Sequence, residues 1–406
     1  MASADIRTFV AALALLLPLG AASAAAQALP DPPRADRQPV GLTAPRIAPL
    51  PETEWTDEHY RLAARYARDG RADNQLHTLL NVPAIAEGLL PVAVYLTENS
   101  TLSPRQRSLL ILRAAWLGGS QPIWATNAAR ARDAGMTDDE IRRIAEGPDA
   151  GGWDPFERTL LQLADQLYLN SSVTDATWSA LSERFSQHNL IDAVETVNHF
   201  TVLSMIYNSY GIQPDADTPD RLPADVPYSI TVPDREPPLA VARLEPLEGP
   251  GIAVSRTFAR HPTLAQARSR RANYINRVSP LTPHDREILI LRIGWDCQAV
   301  YEWAKHVGTV GRARYHGVDP RAVALGPDAP GAGGLEATLL RLVDELYQNA
   351  IVSDETWDAL TAEYDTVEAM SAIYTPSSYR ATSMSLNAYG VQLEPGDEGF
   401  PDVPLR

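Results

Sequence analysis

The sequence predicts an all-α protein made of two tandem helical bundle domains joined by a proline-rich linker, and three observations predict it. The first is a repeat. Ser103-Pro-Arg-Gln-Arg-Ser-Leu-Leu-Ile-Leu-Arg-Ala-Ala-Trp116 returns as Thr282-Pro-His-Asp-Arg-Glu-Ile-Leu-Ile-Leu-Arg-Ile-Gly-Trp295, an offset of 179 residues from Trp116 to Trp295. The same ungapped offset pairs Pro83 with Pro262, Tyr95 with Tyr274, Glu157 with Glu336, Asp165 with Asp344, Trp178 with Trp357, and Tyr210-Gly211 with Tyr389-Gly390. Self-similarity at one fixed, long offset means two units of one fold. The second observation is helical periodicity inside both copies. Leu160, Leu161, Leu163, Ala164, Leu167 and Tyr168 form an i, i+3, i+4, i+7 stripe, and Leu339, Leu340, Leu342, Val343, Leu346 and Tyr347 repeat it. The third is a run of nine prolines between Pro214 and Pro250, too dense for a long helix.

Taken along the chain, residues 1–26 hold Arg7, an apolar run from Phe9 to Leu19, and an alanine-rich stretch with small-x-small sites. That order reads as a secretory signal peptide, and the run is too short to span a bilayer. A periplasmic or secreted location follows, with no stable membrane association after cleavage. Residues 27–53 are rich in proline and alanine without a sustained period and read as an extended tether. The first domain covers 54–212, the linker 213–251, the second domain 252–395, and a tail 396–406. Each domain should hold about six or seven helices, enough in roughly 130 to 150 residues for a buried core of its own. Thr282-Pro283 and Ser353-Asp354 precede apolar runs as caps precede helices. Glycine- and proline-rich stretches at 147–155 and 326–334 interrupt the two bundles at corresponding places.

Composition narrows the partners. The chain is 45% hydrophobic and 21% charged with a formal charge of −16, which repels nucleic acid and anionic membrane surfaces. Cys297 is the only cysteine, so an intrachain disulfide is excluded and a buried or pocket position suits the thiol.

Chemistry-capable residues stand in one copy only. After the shared Trp295 the second copy reads Asp296-Cys-Gln-Ala-Val-Tyr-Glu-Trp-Ala-Lys-His306, and the first copy holds Gly118, Ile123 and Asn127 where Cys297, Glu302 and His306 stand. The first copy has Pro122 at the position of Tyr301, and proline is tolerated in the first turn of a helix, so a helix should begin near Tyr301. Glu302 and His306 are then i and i+4 on one face, where a carboxylate orients an imidazole or shares its proton. Cys297 falls in the preceding turn, and Glu287 and Arg292 come from the helix before it. A solvated local pair is the ordinary reading of such spacing, but the first copy keeps the framework without the three reactive groups, so the fold does not need them. A metal site is incomplete on this residue set.

The run from Pro283 to Val307, with Arg260-His261-Pro262 upstream, resembles the carboxymuconolactone decarboxylase family, which shares an all-helical fold with alkylhydroperoxidase D. The resemblance is strong over about 258–391 and covers 80–212 as a divergent copy. In the alkylhydroperoxidase branch a Cys-x-x-Cys-x-x-x-His motif with a glutamate upstream forms a peroxidatic dithiol and proton relay. Counted back from His306, Glu302 and Ala299 occupy the cysteine positions and Glu287 that of the relay glutamate, so the dithiol is missing. Tyr301-Glu302-Trp303 followed by His306 resembles the decarboxylase branch, which implies action on lactones or aromatic-derived carboxylic acids with no cofactor and no metal. The expected site is therefore His306, Glu302, Cys297 and Glu287 for catalysis, with Arg292, Tyr301 and Trp303 binding substrate. The resemblance also implies a homo-oligomer, in which three tandem chains would imitate a hexamer-like ring. His199, Tyr374, Tyr379 and Arg380 are further candidates to line such a site, with core placement the default for the tyrosines. A single-cysteine peroxidase acting through Cys297 with an external thiol, and a noncatalytic binding protein, are the alternative functions.

Overall fold

A computed structural model describes residues 41–67, 70–228 and 230–403. The expected signal peptide and residues 27–40 of the tether lie outside the described residues. All repetitive structure among the described residues is helical, with seventeen α-helices and short 3₁₀ and π turns. Nine α-helices precede the linker: α1 (Asp57–Tyr66), α2 (Asn74–Leu79), α3 (Pro83–Val94), α4 (Pro104–Gly118), α5 (Gln121–Asp133), α6 (Asp138–Glu146), α7 (Pro155–Asn170), α8 (Asp175–Ser182) and α9 (Gln187–Tyr210). Eight follow it: α10 (Ala253–Phe258), α11 (Pro262–Asn273), α12 (Pro283–Asp296), α13 (Val300–Val307), α14 (Pro320–Leu325), α15 (Gly334–Asn349), α16 (Asp354–Thr361) and α17 (Thr366–Tyr389). Four pairs, α3/α11, α7/α15, α8/α16 and α9/α17, keep the 179-residue offset at both ends.

The boundaries have local causes. Ser103 and Gln106 close a capping box on α4, and Pro104 occupies its first turn, where a missing N–H costs nothing. Thr282 and Ser353 cap α12 and α16 as expected, accepting from Asp285 N at 3.1 Å and Thr356 N at 3.2 Å. From 211 to 251 no helix or strand forms among the described residues, as the prolines dictate.

The two halves do not keep separate cores. One continuous apolar cluster runs from Ile47 to Val403 and draws on both. Its centre is the packing of α9 on α17, two 24-residue helices buried around nearly their whole circumference. A helix buried all round must be covered all round, which here takes helices of both halves. Helix α3 packs on α11 in the same crosswise sense.

The segment ahead of each half staples the end of that half's long helix. Tyr210 O accepts from Arg46 N and Ile47 N at 2.9 and 3.0 Å; Tyr389 O accepts from Arg243 N and Leu244 N at 2.8 and 3.2 Å. The guanidinium then crosses to the other half, Arg46 to Asp354 and Arg243 to Asp175, each at 2.5 Å, with Trp357 and Trp178 beneath. Gly211 ends α9 at φ 72, and a Cβ there would meet Ala44 O at 2.7 Å. The left-handed turn and the close approach of the tether both require glycine.

Candidate active site

Helices α12 and α13 form a tight hairpin through Cys297, Gln298 and Ala299. Pro122 stands in the first turn of α5, and α13 starts at Val300, as the repeat indicates. Folding back brings Glu287, from the second turn of α12, against His306 in the last turn of α13. Glu287 Oε2 lies 2.7 Å from His306 Nδ1, and Glu302 Oε1 lies 3.0 Å from His306 Nε2. The imidazole is thus held at both nitrogens by carboxylates, with the Tyr379 ring edge-on at 5.1 Å. Arg286 Nε, 3.3 Å from Glu287 Oε1, steadies the Glu287 carboxylate from its other side.

All three groups are buried, His306 to 2% exposure. Burial pulls the imidazole pKa down, but Glu287 and Glu302 outweigh it and hold His306 up at about 10. The Glu287 carboxyl is pushed up by burial, and the pull of His306, with Arg286, leaves it below its ordinary value. At neutral pH the ring is an imidazolium whose protons are shared with flanking carboxylates.

Gly311 makes this clamp possible. A Cβ on Gly311 would overlap Glu287 Oε2 and lie 2.7 Å from His306 Nδ1. Gly311→Ala is therefore expected to prise Glu287 from the imidazole and to destabilise the fold by about 1–3 kcal/mol. Turnover and urea unfolding check this together; a Gly311→Ala variant with unchanged turnover would contradict the clamp.

His306 and Glu302 open onto a cavity of about 370 Å³. Val254, Phe258, Ile275 and Val310 give it an apolar wall, while Arg268, Arg271 and Lys305 bring cations to its edge. Tyr301 lines the same cavity and donates to Glu394 Oε2 at 3.3 Å.

Arg292, Trp303 and Cys297 do not line it. Arg292 pairs with Asp344 at 2.5 Å and Asp296 at 3.4 Å and donates to Val323 O and Ala324 O. Arg113 repeats this on Asp165, Ile144 O and Ala145 O, so both arginines fasten one helix to two others. Arg292 is thus spent on the scaffold and is not placed to bind substrate. Trp303 packs on Trp295 and Phe400, with ring centres 5.7 and 5.4 Å away, and is core. Cys297 is 0% exposed, and burial pushes its thiol up to about 11. It caps α12, facing inward where the turn aims it.

Tyr379 joins the site, whereas Tyr374 and Arg380 are buried away from this cavity. Sequence reasoning missed Arg268, Arg271 and Lys305. A signal for them exists: at the 179-residue offset the first copy has Leu89, Val92 and Thr126 in their places. The corresponding site of the first half is closed on itself. Asn127 Nδ2 donates to Ile123 O at 2.8 Å and Ser108 Oγ to Pro104 O at 3.0 Å, each turned back on its own helix, and Asn127 Oδ1 has no partner.

Known structures similar to the chain include a protein from Ralstonia eutropha JMP134, described as an alkylhydroperoxidase AhpD core and an uncharacterized peroxidase-related protein. It is 17% identical, with 42% of this chain and 94% of that one covered at a TM-score of 0.38. An uncharacterized peroxidase-related protein from Silicibacter sp. TM1040 is 15% identical, with 46% and 97% covered at a TM-score of 0.37. No curated protein matches the chain. The family match falls on the first half, from α3 into α7, rather than on the half where the sequence resemblance is stronger. Residues 83–166 match the carboxymuconolactone decarboxylase family.

Proposed function

We propose that the protein is an exported, cofactor-independent lyase that decarboxylates a lactone or an aromatic-derived carboxylic acid in the cavity beside His306. The observation that carries this reading is the His306 imidazolium clamped between Glu287 and Glu302 at the wall of a largely apolar cavity. When carbon dioxide leaves, the electron pair of the broken C–C bond passes into a conjugated acceptor, and the resulting anion takes a proton. Both ring nitrogens face carboxylates, so Glu302, which lines the cavity, takes the proton from His306 Nε2 and hands it to the anion, and a proton drawn from solvent restores the imidazolium. The apolar wall favours loss of charge from the departing carboxylate.

A peroxidase acting through Cys297 has less support. Its thiol is buried and held protonated, away from the cavity, and the chain has no second cysteine to resolve an oxidised one. The test is a mass-spectrometric screen of the purified protein against lactones and aryl carboxylic acids for loss of carbon dioxide. Release from at least one acid supports the reading, and no loss from any of them sinks it.

A further inference from the structure

Two of the three cations on the cavity wall are neutralised within the protein. Arg268 pairs with Glu195, and Lys305 lies 2.6 Å from Glu394 and 2.8 Å from Asp397. Arg271 differs. It lines the same cavity at 5% exposure, and among the described residues no carboxylate forms an ion pair with it. Its Nη2 donates to His199 Nδ1 at 2.7 Å, and its Nε has no hydrogen-bond partner.

His199 brings no negative charge. Burial, reinforced by Arg271 and Arg268, keeps this imidazole well below its ordinary pKa, so it accepts as a neutral ring. The histidine comes from α9 of the first half and meets Arg271 on α11 across the junction of the two. The Tyr374 hydroxyl interacts with Ser378, on the same cavity wall, and with Arg271, while Glu195, which acts on Arg271 from a distance, already pairs with Arg268.

A guanidinium removed from water without a counter-charge costs several kcal/mol. Such a group persists at a cavity wall when an anion completes it, and its planar fork fits the two oxygens of a carboxylate. We propose that Arg271 is the recognition group of this cavity for a carboxylate carried on a flat, apolar body. The proposal rests on the reading of this cavity as the substrate site, and it concerns binding rather than the chemical step.

Benzoate and benzamide, alike in shape and unlike in charge, serve as probes in calorimetric titrations of the full chain. Wild type should bind benzoate at least about tenfold more tightly than benzamide. Arg271→Gln should erase that preference, and Arg271→Lys should retain part of it. Equal affinity for the two probes, or benzoate affinity unchanged in Arg271→Gln, would overturn the assignment. The wild-type comparison stands even where the glutamine variant fails to fold. Carbon dioxide release without discrimination between the probes would overturn the recognition role alone. Arg271-dependent benzoate binding without carbon dioxide release from any acid would overturn the reaction and leave that role in place.

Discussion

His306→Gln is expected to lower decarboxylation of any acid the screen returns by about 10²–10⁴-fold, the span of a lost general acid, while far-UV circular dichroism stays unchanged. Glu302→Gln should fall in the same range, because one carboxylate cannot hold the ring as two do. A variant within threefold of wild type would remove this imidazole from the mechanism. The ring also leaves a signature in stability. Its pKa in the fold is about 10 against an ordinary 6.5, so its contribution is fully present below pH 6.5 and is lost as pH rises through 10. The Glu287 carboxyl, held below its ordinary 4.5, contributes above that pH and loses its contribution as pH falls through its lowered value. Urea unfolding of wild type and His306→Gln should therefore differ most between about pH 4.5 and 6.5 and converge toward pH 10. A difference that stays level from pH 6.5 to 10 would show that the ring is not held charged.

Arg113→Met, in the first half, should cost about 3–5 kcal/mol of stability. Arg113 and Asp165 are 3% and 2% exposed and share two hydrogen bonds of 2.6 and 2.9 Å. The substitution strands a carboxylate in the interior and leaves the carbonyls of Ile144 and Ala145 at the end of α6 without their donor. A domain has only about 5–15 kcal/mol to lose. Denaturant midpoints give the measurement, and Arg113→Met combined with Asp165→Leu should recover much of the loss. A fall below about 1 kcal/mol would contradict the fastening role assigned to this arginine and, by the repeat, to Arg292.

The scaffold was legible because the repeat doubles every signal. A cap or stripe seen in one copy fixes its counterpart, and α3, α7, α8 and α9 recur with both ends in register. The pairing of Glu302 with His306 was legible because i and i+4 share a helical face whatever the tertiary fold. Spacing put Glu287 on the neighbouring helix, but its catalytic role came only through the family resemblance, since a contact between two helices has no local pattern. Arg292 and Trp303 were misassigned for the same reason: a buried arginine facing Asp344, or an indole facing Phe400, looks in sequence like a group awaiting a ligand. Both residues recur in the first copy, as Arg113 and Trp124, which is the sequence signal for packing. Cys297 depends on the direction of a three-residue turn, which spacing cannot give. Arg271 was hidden because its neutral partner His199 lies in the other copy, and the expectation of two cores kept the halves apart.

The crosswise staples at Tyr210 and Tyr389 bear on cooperativity. Each half's last helix is closed by the strand of chain that enters that half, while the arginine doing so holds a helix start in the other. Neither half can therefore open as a foldon of its own, and amides in α9 and α17 should exchange with solvent through one shared global event. The half that lacks counterparts of Glu302 and His306 sets the lifetime of the half that holds them.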